Sequence, residues 1–260
     1  MAPAVGKART PTGALEDRAG DGASLVIVLG IDTSTEQTSV ALGTEREILG
    51  TARFAGVRRH DDVVPAIDRL LEWTGIELSH VGGVAVGLGP GLYTGLRVGV
   101  EAAKALAQVL GVPIVGIGSL DVLAFGVQHT SRRIVAVIDA RRREVFYGLY
   151  RPVPGGVIRD GDYRVASPGA LAGELEIERD EMLLVGNGAI LYRKEFEQVD
   201  ARVELAPASF AHPWASALVS LAAPRFIREQ TDRPADLVPM YLRKTDAEIT
   251  WDQRARGASA

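Results

Sequence analysis

The sequence predicts an α/β protein built as two mixed-sheet units with a cleft between them. Three observations carry this. Strand and helix patterns alternate along the 260 residues, the same order of elements runs twice, and each run opens on an apolar strand ending in an aspartate, Asp32 or Asp139, before a polar turn. Short strand-to-helix connections and near-continuous apolar strands point to sheets covered by helices. Alternation alone would also fit one doubly wound sheet; the paired aspartate-ending hairpins favour the duplication.

In the first unit, Leu25 to Ile31 is an apolar strand, and Thr33 to Gln37 turns the chain into strands over Thr38 to Leu42 and Ile48 to Phe54. Val63, Val64, Ile67, Leu70 and Leu71 then recur at helical spacing. Val81 to Gly87 reads as a strand, Thr94 to Leu110 as an amphipathic helix, Pro113 to Ile117 as a short strand and Ser119 to Val127 as a closing helix. The second unit repeats this. Arg133 to Ile138 and Val145 to Tyr150 flank a polar turn at Ala140 to Glu144, and a strand near Val157 to Val165 precedes a short helix after Ser167. Met182 to Val185 is a strand, Ala189 to Gln198 a helix, the chain near Val203 a strand, and Pro213 to Glu229 the last helix. The boundaries expected are a disordered leader over 1–23, domains over 24–130 and 131–250, and a loose tail over 251–260.

Composition narrows the function. Apolar residues make up 47% and charged residues 24%, ordinary globular values. A net charge of −4 argues against a general grip on nucleic acid, which needs clustered Lys and Arg. The absence of cysteine excludes disulfides, thiolate metal sites and cysteine nucleophiles. No apolar run approaches the roughly 20 residues of a membrane span, and no signal-peptide pattern precedes Leu25, so a cytoplasmic protein is expected.

The most informative stretch is GPGLYTGLRVG, Gly89 to Gly99, a glycine-rich turn that opens a helix. Such a turn allows close backbone approach and can offer free N–H groups to an anion. No phosphate-gripping lysine, nucleophile triad or HxxxH pair accompanies it; the four histidines are His60, His80, His129 and His212.

The segments VLGIDTSTEQTSVAL (Val28 to Leu42), HDDVVP (His60 to Pro65), GLGPGLYTGLRVGVEAAKALA (Gly87 to Ala107), IDARRREVFYGLY (Ile138 to Tyr150), VGNGA (Val185 to Ala189) and PMYLR (Pro239 to Arg243) resemble the actin–hexokinase–Hsp70 superfamily. Within it they resemble most closely the TsaB family, also called YeaZ, over about Leu25 to Arg243. The resemblance implies a duplicated, ribonuclease H-like fold and a non-catalytic subunit of the bacterial machinery for tRNA threonylcarbamoyladenosine. It implies a TsaD-like transferase as partner, which modifies the adenosine beside the anticodon in tRNAs reading codons that begin with A. It also implies a TsaE-like ATPase, a homodimer when the transferase is absent, and tRNA contact only through the complex. No intrinsic cofactor or metal is expected, though a nucleotide could sit at the subunit interface. TsaD-like proteins carry two metal-binding histidines just after the equivalent of Pro113 to Ile117. Ser119 and Leu123 stand in those places, and neither is a good ligand.

Two groups of candidate residues follow. Val64, Ile67 and Leu71 on one helix, and Gly95, Gly99, Ala102, Ala103 and Leu106 on the next, are candidates for a helix-to-helix partner surface, with core packing as the other reading. Asp32, Ser34, Gly89, Gly91, Arg141, Gly186 and Gly188 are candidates for a vestigial nucleotide or cleft site. Local hairpin hydrogen bonding and tight turns are the other reading of these residues, and the favoured one. The alternative function is an independent ATP-dependent phosphotransferase or ATPase using the Asp32 hairpin. A peptidase finds no HExxH pair and no triad.

Overall fold

The computed structural model describes residues 25–55, 63–199 and 202–243. The expected leader, the expected tail and His60 to Asp62 lie outside the described residues.

The first sheet contains β1 (Ile27–Asp32), β2 (Gln37–Gly43), β3 (Ile48–Ala55), β4 (Val81–Gly87) and β5 (Ile114–Ile117), in the order β3-β2-β1-β4-β5. β1 to β3 pair antiparallel, whereas β4 and β5 run parallel to β1. The second sheet holds β6 (Arg133–Arg141), β7 (Glu144–Val153), β8 (Gly156–Ala166), β9 (Met182–Val185) and β10 (Val203–Leu205), ordered β10-β9-β6-β7-β8. Read from the opposite edge this is the same order with the same parallel and antiparallel pairs. The duplicated actin-like fold is therefore present strand for strand.

The helices are α1 (Val63–Thr74), α2 (Tyr93–Leu110), α3 (Ser119–Gly126), α4 (Pro168–Ile177), α5 (Asn187–Leu191), α6 (Arg193–Phe196) and α7 (Ala215–Ile227). Local chemistry sets several ends. Gly111, in the left-handed region at φ 67°, closes α2. Ser167 caps α4 by accepting the Ala170 N–H, with Pro168 in the first turn. The single helix expected over Ala189 to Gln198 is broken at Tyr192, between α5 and α6.

Strand alternation explains the layers. On the first sheet Leu29, Ile31, Val40, Leu42, Val84 and Val86 pack under α1 and α2. Val28, Ala41, Ala85 and Val115 face the other way, onto α7. On the second sheet Val135, Val137, Val145 and Tyr147 pack with α4, while Ile134, Ala136, Ile138 and Tyr150 pack with Leu120, Leu123 and Ala124 of α3.

The closing helices are thus exchanged. The sequence groups α3 with the first unit and α7 with the second, yet α3 covers the second sheet and α7 the first. The two helices also pack on each other. The central strands β1 and β6 are buried on both faces, and a helix from the other half covers the second face of each sheet.

Candidate functional site

β1 and its polar turn deliver Asp32 to the carboxyl end of the first sheet, where β4, β5 and the glycine loop also end. Asp32 is 1% exposed. Its Oδ1 accepts the Ser34 N–H (3.0 Å) and the Ser34 hydroxyl (2.7 Å), and its Oδ2 accepts the Ser119 hydroxyl (2.9 Å). Burial raises its pKa; the hydrogen bonds from Ser34 and Ser119 oppose that shift.

The glycine loop is clamped to this hairpin. Ser119 Oγ accepts the Gly89 N–H at 3.1 Å, Ser34 O accepts the Leu92 N–H at 2.7 Å, and the Thr33 hydroxyl donates to Gly95 O at 2.7 Å. Two glycines are required by contact. A Cβ on Gly91 would collide with Ser34 O, and one on Gly99 with Thr33 Oγ1. Asp32, Ser34, Gly89 and Gly91 lie together, and the protein's own groups occupy the loop's Gly89 and Leu92 N–H donors.

Asp139 opens the second hairpin. Its Oδ1 accepts the Arg141 N–H at 3.0 Å, its own N–H donates to Asn187 Oδ1 at 3.0 Å, and Arg141 Nη1 lies 3.2 Å from its Oδ2. Gly186 and Gly188 lie against Val137 to Asp139, close enough that a side chain at either would meet that strand. Arg141 also pairs through Nη2 with Glu36 of the first hairpin, spanning the two units. The turn expected over Ala140 to Glu144 is tighter than that. The strands run to Arg141 and Glu144, and Arg141, Arg142 and Arg143 all hold positive φ, at 64°, 54° and 58°. His212 adds a second link, its Nδ1 lying 3.0 Å from Thr35 Oγ1; burial lowers its pKa.

The helix pair α1–α2 divides its candidates. Ile67 (4% exposed) and Ala103 (0%) are buried with Gly95 and Gly99 against the first sheet, so these four belong to the protein's own core. For these four residues the core-packing alternative describes their position, on the helix faces that cover β1, β2 and β4. Leu71, Ala102 and Leu106 are half-buried at the rim of that core. Val64 (66% exposed) points outward. Outward residues that the sequence reasoning missed are Trp73 (69%) and Val109 (82%); Ala105, one of the small residues of α2, is exposed as well. Val98, Ala102, Ala105, Leu106 and Val109 recur three or four residues apart, and that spacing was their signal.

Ser119 and Leu123 mark where a TsaD-like metal pair would stand. Ser119 is committed to Asp32 and Gly89, and Leu123 is buried on the second sheet. Among the described residues no group of three or more His, Cys, Asp or Glu could hold a metal ion, and no helix is long and apolar enough to cross a membrane.

Sequence comparison matches residues 51–251 to a family model described as TsaD, tRNA N6-adenosine threonylcarbamoyltransferase. The chain is 31% identical over 239 residues to the tRNA threonylcarbamoyladenosine biosynthesis protein TsaB of Haemophilus influenzae, covering 86% of this chain and 95% of that one. It is 32% identical to the protein of the same name from Bacillus subtilis, covering 86% and 97%. This chain belongs to the TsaB family. The fold agrees: YeaZ from Pseudomonas aeruginosa superimposes with a TM-score of 0.72 at 29% identity, over 84% of this chain and all of that one.

Proposed function

We propose that this chain acts in the synthesis of tRNA threonylcarbamoyladenosine as the cytoplasmic subunit that docks on a TsaD-type transferase and activates it, supplying no reacting group. The observation that carries this reading is the outward face of α1 and α2. Val64 and Trp73, on either side of the buried stripe of α1, and Ala105 and Val109 on α2 leave apolar surface beyond what the core uses. The small side chains of Ala102 and Ala105 let a neighbouring helix approach closely. A partner's helix pair laid on this face forms a four-helix contact, and stable contacts of this kind bury about 1,200–2,000 Å². In the absence of the transferase, a second copy takes its place. A TsaE-like ATPase and tRNA are reached through the complex, and any nucleotide sits between subunits.

The filled Asp32 site supports the non-catalytic part of the proposal. A carboxylate with both oxygens engaged and 1% exposure has to be uncovered before it can reach a phosphate or a hydrated magnesium ion. The competing reading, an ATP-dependent phosphotransferase, rests on the same hairpin and glycine turns.

Reconstitution of tRNA threonylcarbamoylation with and without this chain tests the proposal. Activity is expected to depend on the chain and to survive Asp32→Asn, provided that variant folds. Full activity without the chain removes the role. Magnesium-dependent ATP turnover by the isolated chain that vanishes in folded Asp32→Asn establishes the phosphotransferase instead.

A further inference from the structure

A cleft of about 390 Å³ lies where the exchanged helices meet the second sheet, away from the outward face of α1 and α2. One wall is the backbone of Gly116 to Gly118 leading into α3, another is Val157 and Arg159 of β8, and the third is Leu221 and Arg225 of α7. Its volume falls in the range of small-molecule sites, ~300–1,000 Å³. Strand and helix periodicity put these residues there. Val157 and Arg159 are two apart on one strand face, and Leu221 and Arg225 are one turn apart on one helix face.

Both guanidinium groups are held in place from behind. Arg225 donates through Nε to Gln230 O and through Nη1 to Gly116 O, each at 3.1 Å, and pairs through Nη2 with Asp232 at 3.3 Å. Asp232 Oδ2 is in turn fixed by the Gly116 N–H at 2.8 Å. Arg159 donates through Nε to Gly161 O (3.1 Å) and through Nη1 to Asp121 (3.3 Å), and its guanidinium lies 4.0 Å from the Tyr163 ring centroid. The one carboxylate in the wall, Asp121, is already occupied. Tyr150 donates to its Oδ1 at 2.8 Å and Tyr163 to its Oδ2 at 2.7 Å.

The geometry points to this cleft as a binding site for a small organic anion, a carboxylate or phosphate monoester carrying a short apolar body. Each guanidinium has five N–H groups and spends only part of them on these bonds, with none of the bonds above made by Arg159 Nη2, so charge-assisted donors remain for an anion while little side-chain freedom is left to lose. Asp121 lines the cleft, and its two oxygens already accept from Tyr150, Tyr163 and Arg159, which spreads its charge over three donors. Ile117, Val157 and Leu221 supply apolar wall for the rest of the ligand. None of these residues belongs to the Asp32 site or to the α1–α2 face, so the inference stands independently of the proposed docking role.

Titration of the full chain with benzoate, phenyl phosphate and neutral benzyl alcohol, followed by backbone amide NMR, is the test. The expected result is saturable shifts at Gly116, Ile117 and Gly118 with at least one of the two anions and none with the alcohol; the two anions separate carboxylate from phosphate selectivity. Arg159→Gln should weaken binding about tenfold, or ~1.4 kcal/mol, as should Arg225→Gln. Val157→Trp, which fills the recess and leaves both arginine anchors intact, should abolish binding with the remaining spectrum preserved. No saturable shift with either anion, equal binding of the alcohol, or unchanged affinity in folded Arg159→Gln and Val157→Trp would overturn the assignment.

Discussion

Ser119 donates its hydroxyl proton to Asp32 Oδ2 at 2.9 Å while accepting the Gly89 N–H at 3.1 Å. One side chain at the start of α3 thereby joins the first hairpin and the glycine loop to the helix that crosses to the second sheet. Ser119→Ala leaves a buried carboxylate oxygen and a buried N–H without partners, a loss of about 1–3 kcal/mol. Urea unfolding should show a lower midpoint at unchanged slope.

Gly99 and Thr33 form a second such relationship, because a methyl group on Gly99 collides with Thr33 Oγ1. Gly99→Ala should destabilise by about 1–3 kcal/mol through overpacking. Combining it with Thr33→Ala removes the obstructing hydroxyl. The pair should then be less destabilising than the sum of the single changes, a non-additivity that a double-mutant cycle reads directly.

The two sides of the helix pair should respond differently to charge. Ile67→Glu and Ala103→Glu place a carboxylate in the core and should unfold the chain, by upwards of ~3 kcal/mol. Trp73→Glu and Val109→Glu alter exposed positions and should change stability by no more than about 0.5 kcal/mol. On the proposed docking reading, these outer variants lose co-purification with a TsaD-type partner while remaining folded. Undiminished capture by both would place the contact elsewhere.

Arg142 and Arg143 fill a two-residue hairpin turn in which both residues hold positive φ, the conformation that favours Asn-Gly. Left-handed backbone costs an ordinary residue roughly 1–2 kcal/mol. The double change Arg142→Asn, Arg143→Gly should therefore raise the thermal midpoint, by about 1–2 kcal/mol of stability. If the arginines also serve the complex, the stabilised variant will support less tRNA modification.

His212 provides the pH dependence. Its pKa is lowered from 6.5, first by burial and further by Arg53, with Glu36 opposing. The unfolded chain then binds a proton at a pH where the folded chain does not. This contribution to stability is complete above 6.5 and is lost as pH falls through the folded value. His212→Gln should flatten the stability profile on that acidic side, as measured by denaturant midpoints across the interval.

Legibility in the sequence followed the range of the interaction. Asp32 and Asp139, the glycine loop and the apolar strands were readable because turn chemistry and side-chain alternation are local. The three-arginine cluster was visible too, but its left-handed backbone was not, since arginine carries no propensity for it. Ile67 and Ala103 looked like interface as much as core, because a helical stripe marks a buried face without naming what buries it. Arg159 and Arg225 carry no motif and are far apart in the chain.

By itself the sequence determined the duplicated order of strands and helices, the family, and the residues at the end of each opening strand, since hydrophobic period and turn residues act over a few positions. Only the tertiary structure decided that α3 and α7 change sheets, that Asp32 is sealed by Ser34 and Ser119, and which sides of α1 and α2 remain open to a partner. Those outcomes depend on which distant surface arrives to cover each apolar face, and burial of that kind is a property of the assembled layers.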